Sequence, residues 1–425
     1  MKQLVIEGVG DIVARTVAAA AQKLHIDIPD LRVIFTDKSG SWTDDVRADR
    51  EATVEAVKWW GATFLDKSDP AQFIEYSALL DRNVDAVLIE TPDRTHIEIA
   101  KHWLKGNCEW IYIEKPLTTH HNLDEARRWV EELRFNNKDR ERLLAFDHYR
   151  ARIHAQFRYG EYIASILSFI GQLKRFRFYF LEDHSDSDNK YIEGQRSRGR
   201  KFKNRNGPIE NEGRVEALSD GLILDLMPHV LSVLEYFGEP EFVYARTIRP
   251  GIYAGVDGDP AKRATIENET FAAIEFDLMD YGGQRVRGEA YIGKGIRGSK
   301  KYKDMGGNVK VLEVEGSKGT LKFDFHRSTL FMGERSKKMS ELFDLERDAY
   351  YYLLTDIAFR RPEGTLLGLS IERATTILEK LAQMKSKVVS DDLVTYDLGD
   401  GVTNFPPWLE DLLPGGKNTL PVIKF

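Results

Sequence analysis

Short apolar runs alternate with amphipathic segments through the first 113 residues. The apolar runs predict strands over residues 4–6, 31–35, 62–65, 86–89 and 110–113. Helical periodicity between them predicts helices over residues 12–24, 45–60, 70–80 and 95–104. Asp69 followed by Pro70 is typical of a helix start. Strands that alternate with helices form βαβ units, so this part predicts a doubly wound, mostly parallel sheet with helices on both faces.

Beyond residue 120 the pattern changes to longer alternating strands. Helices predicted over 123–135 and 151–170 flank a sixth strand over 143–146. Further strands follow over residues 173–181, 242–248, 270–276, 286–292, 309–314 and 320–325. Their alternation predicts an antiparallel or mixed sheet with one covered face. Helices over 342–359 and 369–384 would cover it or return to the first domain, and the tail from Asp391 would wrap the surface.

The predicted fold class is therefore α/β with two domains. Residues 1–120 form a Rossmann domain, and residues 121–425 form an α+β domain with a large mixed or antiparallel open sheet.

Composition narrows the partners and the compartment. The net charge of -7 argues against a general nucleic-acid binder. Basic stretches over 190–205 and 294–303 are interpreted first as solvated loops, with contact to an anionic substrate as the alternative. The single cysteine, Cys108, excludes an intramolecular disulfide and fits a reducing compartment. With no signal peptide or membrane-length apolar run in the sequence, we expect a cytoplasmic protein that does not enter a membrane.

A glycine turn follows the first strand. Gly8 and Gly10 allow a tight turn and close approach of a pyrophosphate, and Asp11 and Ile12 open the helix whose amino end faces the phosphates. Val13 stands where the usual fingerprint has Gly or Ala. In its βαβ context the turn predicts a dinucleotide cofactor.

Asp37, just past the second strand, bears on the choice of cofactor. A carboxylate there accepts the ribose hydroxyls and repels a 2′-phosphate, which favours NAD. Lys38 and Ser39 are candidates to hold a 2′-phosphate, so NADP stays open.

Four local motifs follow in order along the chain: Thr91-Pro92-Asp93-Arg94-Thr95-His96, Glu114-Lys115-Pro116, Asp147-His148-Tyr149 and Asp225-Leu226-Met227-Pro228-His229. Together they resemble the Gfo/Idh/MocA family of oxidoreductases over nearly the whole chain. The resemblance implies an NAD(P)-dependent dehydrogenase or reductase of a small sugar, assembled as a homodimer or homotetramer. It also implies cofactor contacts at Thr91, Pro92, His96, Glu114 and Lys115.

The third motif is also similar to that of the glucose-6-phosphate dehydrogenases. In that family a lysine follows the motif, whereas Arg150 stands here. A dehydrogenase of a phosphorylated sugar is therefore the alternative within the enzymes. A sensor or regulator that keeps the cofactor site without catalysis is the alternative from another class.

The proposed chemistry assigns roles to few residues. Lys115 would stabilise the developing alkoxide, and His229 is the candidate general base. Pro228 predicts that a helix starts there and places His229 in its first turn, near the positive helix end. Asp225 or Asp147 would orient the histidine.

Substrate contacts are expected from the third motif and its flank, at Asp147, His148, Tyr149 and Arg150. No metal is expected, because the spacing of His184, Asp186 and Asp188 in a polar loop is poor ligand geometry.

Overall fold

The computed structural model describes most of the two predicted halves of the chain. It covers residues 2–10, 13–42, 44–119, 122–150, 169–182, 222–235, 237–253, 271–280, 282–294, 309–325, 329–332, 335–338, 350–351, 353–355, 368–386, 389–397 and 401–402.

The strands of the described residues are numbered in chain order. They are β1 Lys2–Glu7, β2 Leu31–Asp37, β3 Thr63–Asp66, β4 Ala86–Ile89, β5 Trp110–Glu114, β6 Leu143–Phe146, β7 Leu173–Glu182, β8 Gly238–Tyr253, β9 Phe271–Asp280, β10 Arg285–Lys294, β11 Val309–Gly316, β12 Thr320–Asp324, β13 Thr329–Met332, β14 Arg335–Lys338, β15 Gly368–Ser370, β16 Val389–Asp397 and β17 Gly401–Val402.

The helices are numbered in the same way. They are α1 Ala18–Asp27, α2 Asp44–Trp59, α3 Pro70–Ser77, α4 His96–Leu104, α5 Leu123–Arg134, α6 Asn137–Glu141, α7 Leu222–Leu234 and α8 Ile371–Ser386. A π-helical turn, Val13–Val17, leads into α1, and short 3-10 turns span Ser39–Ser41 and Asp93–Thr95. The predicted cap is confirmed, since Asp69 accepts hydrogen bonds from the backbone N–H groups of Ala71 and Gln72 at the start of α3.

Seven strands form the first sheet, in the order β15-β6-β5-β4-β1-β2-β3. β1 to β6 run parallel, and β15 is antiparallel to β6. The chain fills one side of β1 with β2 and β3 and then the other side with β4 to β6. The reversal lies between β1 and β4, and ligands bind at such a switch point in open α/β sheets.

Helices cover both faces of this sheet, which confirms the predicted Rossmann arrangement. α3, α4 and α5 bury one face, with Val5, Val87 and Ile111 turned toward them. α1 and α2 bury the other face, with Leu4 and Leu88 turned toward them. The division of the chain at residue 120 stays a prediction, and the sheet itself takes up β6 and β15 from beyond that residue.

Ten strands form the second sheet, in the order β14-β13-β12-β11-β7-β10-β9-β8-β16-β17. Most neighbours are antiparallel, but β7 and β10 pair in parallel, as do β8 and β16, so the predicted mixed sheet is confirmed. α7 packs on β8, β9 and β10, and α8 contacts α5, α7, β6 and β8. One continuous apolar core therefore joins the two sheets.

Two expectations for the second half are wrong. Part of the tail that was expected to wrap the surface forms β16 and β17, whose backbone groups pair within the second sheet. The helix expected to start at Pro228 starts at Leu222, so Pro228 lies inside α7. A proline in a helix interior costs about 3 kcal/mol, and the apolar side chains that α7 buries on both sides of it offset this cost. The predicted helix over 151–170 lies outside the described residues except at its end.

Candidate active site

The carboxyl edge of the first sheet collects the polar residues of the candidate site. Asp37 and Glu114 end β2 and β5, and Gly8, Glu90 and Asp147 directly follow β1, β4 and β6. Because these strands are parallel, their carboxyl ends meet at one edge.

The turn after β1 requires glycine at its first position. Gly8 has φ +101°, and a Cβ there would lie 2.7 Å from the carbonyl oxygen of Glu90. A Cβ at Gly10 would meet none of the described residues within 4 Å. The turn thus has an open side next to Gly10, which fits close approach of a pyrophosphate. Asp11 and Ile12 lie outside the described residues.

Asp37 braces this turn. Its Oδ2 accepts a hydrogen bond from Val9 N (3.1 Å) and its Oδ1 accepts one from Lys38 N (2.7 Å). Beside it, the Ser39 hydroxyl donates to Asp66 at the end of β3. The ends of β2 and β3 therefore each carry a carboxylate, and the Ser39 side chain is engaged by that of Asp66.

His96 joins the loops that follow β4 and β5. It is 2% exposed. Its Nε2 lies 2.7 Å from Thr91 O, and its Nδ1 lies 2.9 Å from Pro116 O. Burial lowers the pKa of His96 to about 4. Both ring nitrogens face backbone carbonyls, so the ring fixes the Thr91 loop against the cis Lys115–Pro116 peptide, while Pro92 is exposed.

Lys115 lies among buried carboxyl groups. Its backbone N–H donates to Phe146 O (3.0 Å) at the end of β6. Its ammonium lowers the pKa values of Glu90, Glu114 and Asp147, each of which burial raises. The lysine charge is therefore close to all three carboxyls.

The structure brings Asp147 and His229 together. Asp147 is 1% exposed, and its Oδ2 lies 2.5 Å from Nδ1 of His229. Its Oδ1 accepts the N–H groups of Tyr149 (2.9 Å) and Arg150 (3.0 Å), at the start of a helical segment over 148–150. A carboxylate at Nδ1 holds the proton on that nitrogen, so Nε2 is the ring's acceptor.

Aromatic rings enclose His229 inside α7. Its ring stacks on Phe180, with centroids 5.6 Å apart. Tyr149 and His148 meet it edge-on at 4.7 and 5.0 Å. The histidine lies in the helix interior, so the argument from the positive helix end is wrong, and the contact that orients the ring is the carboxylate of Asp147.

The other predicted site residues have different surroundings. His148 Nδ1 lies 3.9 Å from Glu114 Oε1. Arg150 donates to the carbonyl of Ser232 in α7 (2.8 Å), which ties the 148–150 segment to that helix. Asp225 belongs to α7, but its side chain lies outside the described part of the molecule.

Two residues of the site were missed by the sequence analysis. Lys310 on β11 donates to the Tyr149 hydroxyl (2.8 Å), and its ammonium lies 4.8 Å from the ring centroid of Phe180. Glu90 follows an apolar strand and is 6% exposed. For Lys310 the sequence did offer a signal. A lysine alternates with apolar residues on the inward face of its strand, which it shares with Leu312.

The described ranges contain neither a candidate metal site nor a candidate membrane span. No group of three His, Cys, Asp or Glu residues within those ranges could hold a metal ion. His184, Asp186 and Asp188 lie outside the ranges. No helix found there is long and apolar enough to cross a membrane.

Part of the chain matches the model of a protein family, and several solved structures have a similar fold. Residues 31–139 match the model of the Gfo/Idh/MocA oxidoreductase family, described as an NAD-binding Rossmann fold. No curated protein matches the chain.

Three solved structures illustrate the likeness in fold. KijD10, a 3-ketoreductase from Actinomadura kijaniata solved with NADP and TDP-benzene, is 16% identical (TM-score 0.55; 92% of this chain and 98% of that chain). A myo-inositol dehydrogenase from Corynebacterium glutamicum is also 16% identical (TM-score 0.56; 91% and 96%). A probable dehydrogenase from Thermotoga maritima is 21% identical (TM-score 0.54; 91% and 96%).

Proposed function

We propose that this chain, whose residues 31–139 match the model of the Gfo/Idh/MocA oxidoreductases, transfers a hydride between a nicotinamide cofactor and a secondary hydroxyl or keto group of a sugar. The observation that carries the proposal is the buried Asp147–His229 pair, close to Lys115 at the edge that bears the glycine turn. A bound nicotinamide supplies the hydride donor or acceptor.

His229 moves the proton in this scheme. Asp147 keeps the proton of Nδ1 in place and directs Nε2 away from the carboxylate. Nε2 then takes the hydroxyl proton during oxidation of an alcohol and returns it during reduction of a ketone.

Lys115 and Tyr149 bind the substrate in this scheme. The Lys115 ammonium donates a hydrogen bond to the reacting oxygen and stabilises its negative charge. Tyr149 accepts a hydrogen bond from Lys310, and we assign its own hydroxyl proton to a second substrate oxygen.

The residues present fit a dinucleotide, and we propose NAD in preference to NADP. The open side of the turn at Gly10 admits the pyrophosphate. Asp37 retains lone pairs for ribose hydroxyls, and a 2′-phosphate would meet the charges of Asp37 and Asp66. Thr91 would line the site from the end of β4.

A phosphorylated sugar is the second candidate substrate. Lys310 places a cation beside Tyr149, on the side of the site formed by the second sheet. An ammonium held there would attract an anionic group of the substrate. A catalytically silent sensor is disfavoured, because the site contains both a positioned base and a lysine for the oxyanion.

We also propose a cytoplasmic homo-oligomer. The thiol of Cys108 is buried, and burial raises its pKa to about 12, as expected for an unreactive cysteine in a reducing compartment. The face of the second sheet opposite α7 carries Tyr179, stacked on Tyr291 with centroids 5.2 Å apart. That face of the second sheet is our candidate for the interface between two copies of the chain.

Nucleotide binding and turnover test the proposal together. We expect NAD to raise the thermal unfolding midpoint more than NADP at equal concentration. A screen of free and phosphorylated sugars should then give turnover that Lys115→Ala and His229→Ala each lower by about 100-fold or more. Unchanged turnover in both variants would overturn the assigned roles, and no stabilisation by either nucleotide would overturn the cofactor site.

A further inference from the structure

Glu90 is a buried residue at the carboxyl edge of the first sheet. The proposed mechanism gives its side chain no role. It follows β4, and its N–H donates to the carbonyl of Glu7 in β1 (2.9 Å). Its own carbonyl is the group that a side chain at Gly8 would strike. Since the strand order reverses between β1 and β4, Glu90 lies at the switch point of the sheet.

Glu114 lies next to it on the neighbouring strand. Ile89 pairs with Ile113 in the parallel register of β4 and β5, so Glu90 and Glu114 follow in step. Side chains in step on adjacent strands point to the same face. Each carboxylate therefore has the other as a neighbour, and the charge of Glu90 raises the pKa of Glu114.

The surroundings of this carboxyl pair leave a proton on it at neutral pH. Both carboxylate oxygens of Glu90 are buried; the Tyr350 hydroxyl is a neighbouring donor, but no described group meets full hydrogen-bond geometry with either oxygen. Burial raises its pKa to about 8, against the lowering effects of the Tyr350 hydroxyl and the Lys115 ammonium. Glu90 is buried and the Glu114 side chain is 12% exposed, so two neighbouring carboxyls with so little contact with water ionise together only at a cost.

Within the described part of the chain, charged and titratable groups from several elements face the pair. They are Lys115 after β5, Asp147 and His148 after β6, Asp93 after β4 and Tyr350 in the helical residues 350–351. Four carboxyls share the single lysine cation of this set, so an added positive charge would favour loss of a proton.

We propose that Glu90, with Glu114, couples one proton to the oxidation state of the nicotinamide cofactor. The pair releases the proton to solvent when the oxidised form, with its positively charged nicotinamide ring, binds, and keeps it when the reduced form, with its uncharged ring, binds. The inference rests on the proposed function, which places the nicotinamide close to Lys115. By linkage, the preference for the oxidised form then rises with pH.

Equilibrium binding of NAD⁺ and NADH to the full-length protein at about pH 6.5 and about pH 9.5 tests this coupling. In the unmodified protein we expect the ratio of the two dissociation constants to change in favour of NAD⁺ by about tenfold for each pKa unit that the nicotinamide charge removes from the pair. In Glu90→Gln, which keeps size and polarity, the ratio should depend on pH much less, because only Glu114 of the pair can still titrate. Glu98→Gln, an exposed change on α4, should behave as the unmodified protein does.

Calorimetry supplies a second measurement that needs no variant. Titrations with NAD⁺ near pH 7.5, in buffers of different ionisation enthalpy, should show release of a proton, and titrations with NADH should show none. Binding of both forms with no proton release, or an unchanged pH dependence in Glu90→Gln, overturns the coupling alone. Failure of both forms to bind overturns the proposed function with it.

Discussion

Oδ2 of Asp147 lies 2.5 Å from Nδ1 of His229, although the two residues are 82 positions apart in the chain. Asp147 follows the last parallel strand of the first sheet, and His229 belongs to the helix that packs on the second sheet. The candidate base, on the helix that packs on the second sheet, is therefore oriented by a residue that follows a strand of the first sheet. The pair forms only when the two sheets are packed together.

Asp147→Asn tests whether that contact sets the tautomer of His229. An amide NH₂ facing Nδ1 would move the imidazole proton to Nε2, the nitrogen that should accept the substrate proton. By analogy with the same change in a serine-protease triad, we expect kcat/KM to fall by about 10³- to 10⁴-fold. Asparagine also caps helices, so the thermal unfolding midpoint should change little.

Asp69→Asn is the matched control for this variant. Asp69 caps α3 through the same kind of contact, and we assign it no part in binding or catalysis. Its activity should equal that of the unmodified protein. Equal activity in Asp147→Asn as well would show that the carboxylate does not orient a catalytic base.

The two glycines of the turn should respond differently to alanine. Gly8→Ala puts a Cβ at positive φ, 2.7 Å from a carbonyl oxygen. We expect a loss of about 1–3 kcal/mol in the free energy of unfolding from the backbone strain. The measurement is urea denaturation of the protein without nucleotide.

Gly10→Ala should leave that free energy unchanged, because its Cβ meets no atom within 4 Å in the described part of the chain. The same methyl group would occupy space that a pyrophosphate needs, so the stabilisation by NAD should fall. If NAD stabilises Gly10→Ala as strongly as the unmodified protein, the cofactor does not approach this turn.

Lys310 should distinguish charged from neutral substrates. Lys310→Gln keeps a donor for Tyr149 but removes the charge. A hydrogen bond to a charged group contributes about 1.5–3 kcal/mol, so we expect KM for a sugar phosphate to rise by about 10- to 100-fold and KM for a free sugar to change much less. Equal changes for both substrates would indicate that Lys310 only positions Tyr149.

Local pattern predicted the first sheet well and the site only in part. β4 and β6 have the predicted bounds, because each is a short apolar run between polar residues. The cofactor edge also followed from sequence, since parallel strand ends must meet. The interior position of Pro228 in α7 could not be predicted from the sequence, because the burial of α7 in the tertiary structure outweighs a local helix-start signal.

Long-range partners lay beyond the sequence patterns. Sequence left Asp147 and Asp225 as alternative partners of His229, and only the packing of α7 places Asp147 at its ring. Lys310 is 161 residues from Tyr149 in the chain, so no local motif joins them.

Glu7 provides a test of stability against pH. This fully buried carboxylate accepts hydrogen bonds from Thr36 (2.5 Å), Lys67 (2.7 Å), Tyr76 (2.8 Å) and Trp103 (2.8 Å). Burial alone would raise its pKa, but the charge of Lys67 and the hydrogen bonds outweigh burial and lower it. The folded state therefore favours the ionised form, and the resulting stability is present above the ordinary carboxyl pKa of about 4.3 and lost as pH falls through the lower folded value.

Glu7→Gln should lower the free energy of unfolding by about 3 kcal/mol at pH 7, because it leaves the largely buried Lys67 charge uncompensated. Its difference from the unmodified protein should shrink as pH falls below about 4, where Glu7 itself becomes protonated. Glu55→Gln, which removes an exposed pair with Lys58, should cost less than about 0.5 kcal/mol at either pH. Urea denaturation at pH 7 and pH 3 measures all three proteins, and a difference that stays constant between the two pH values would mean that the Glu7 charge does not stabilise the fold.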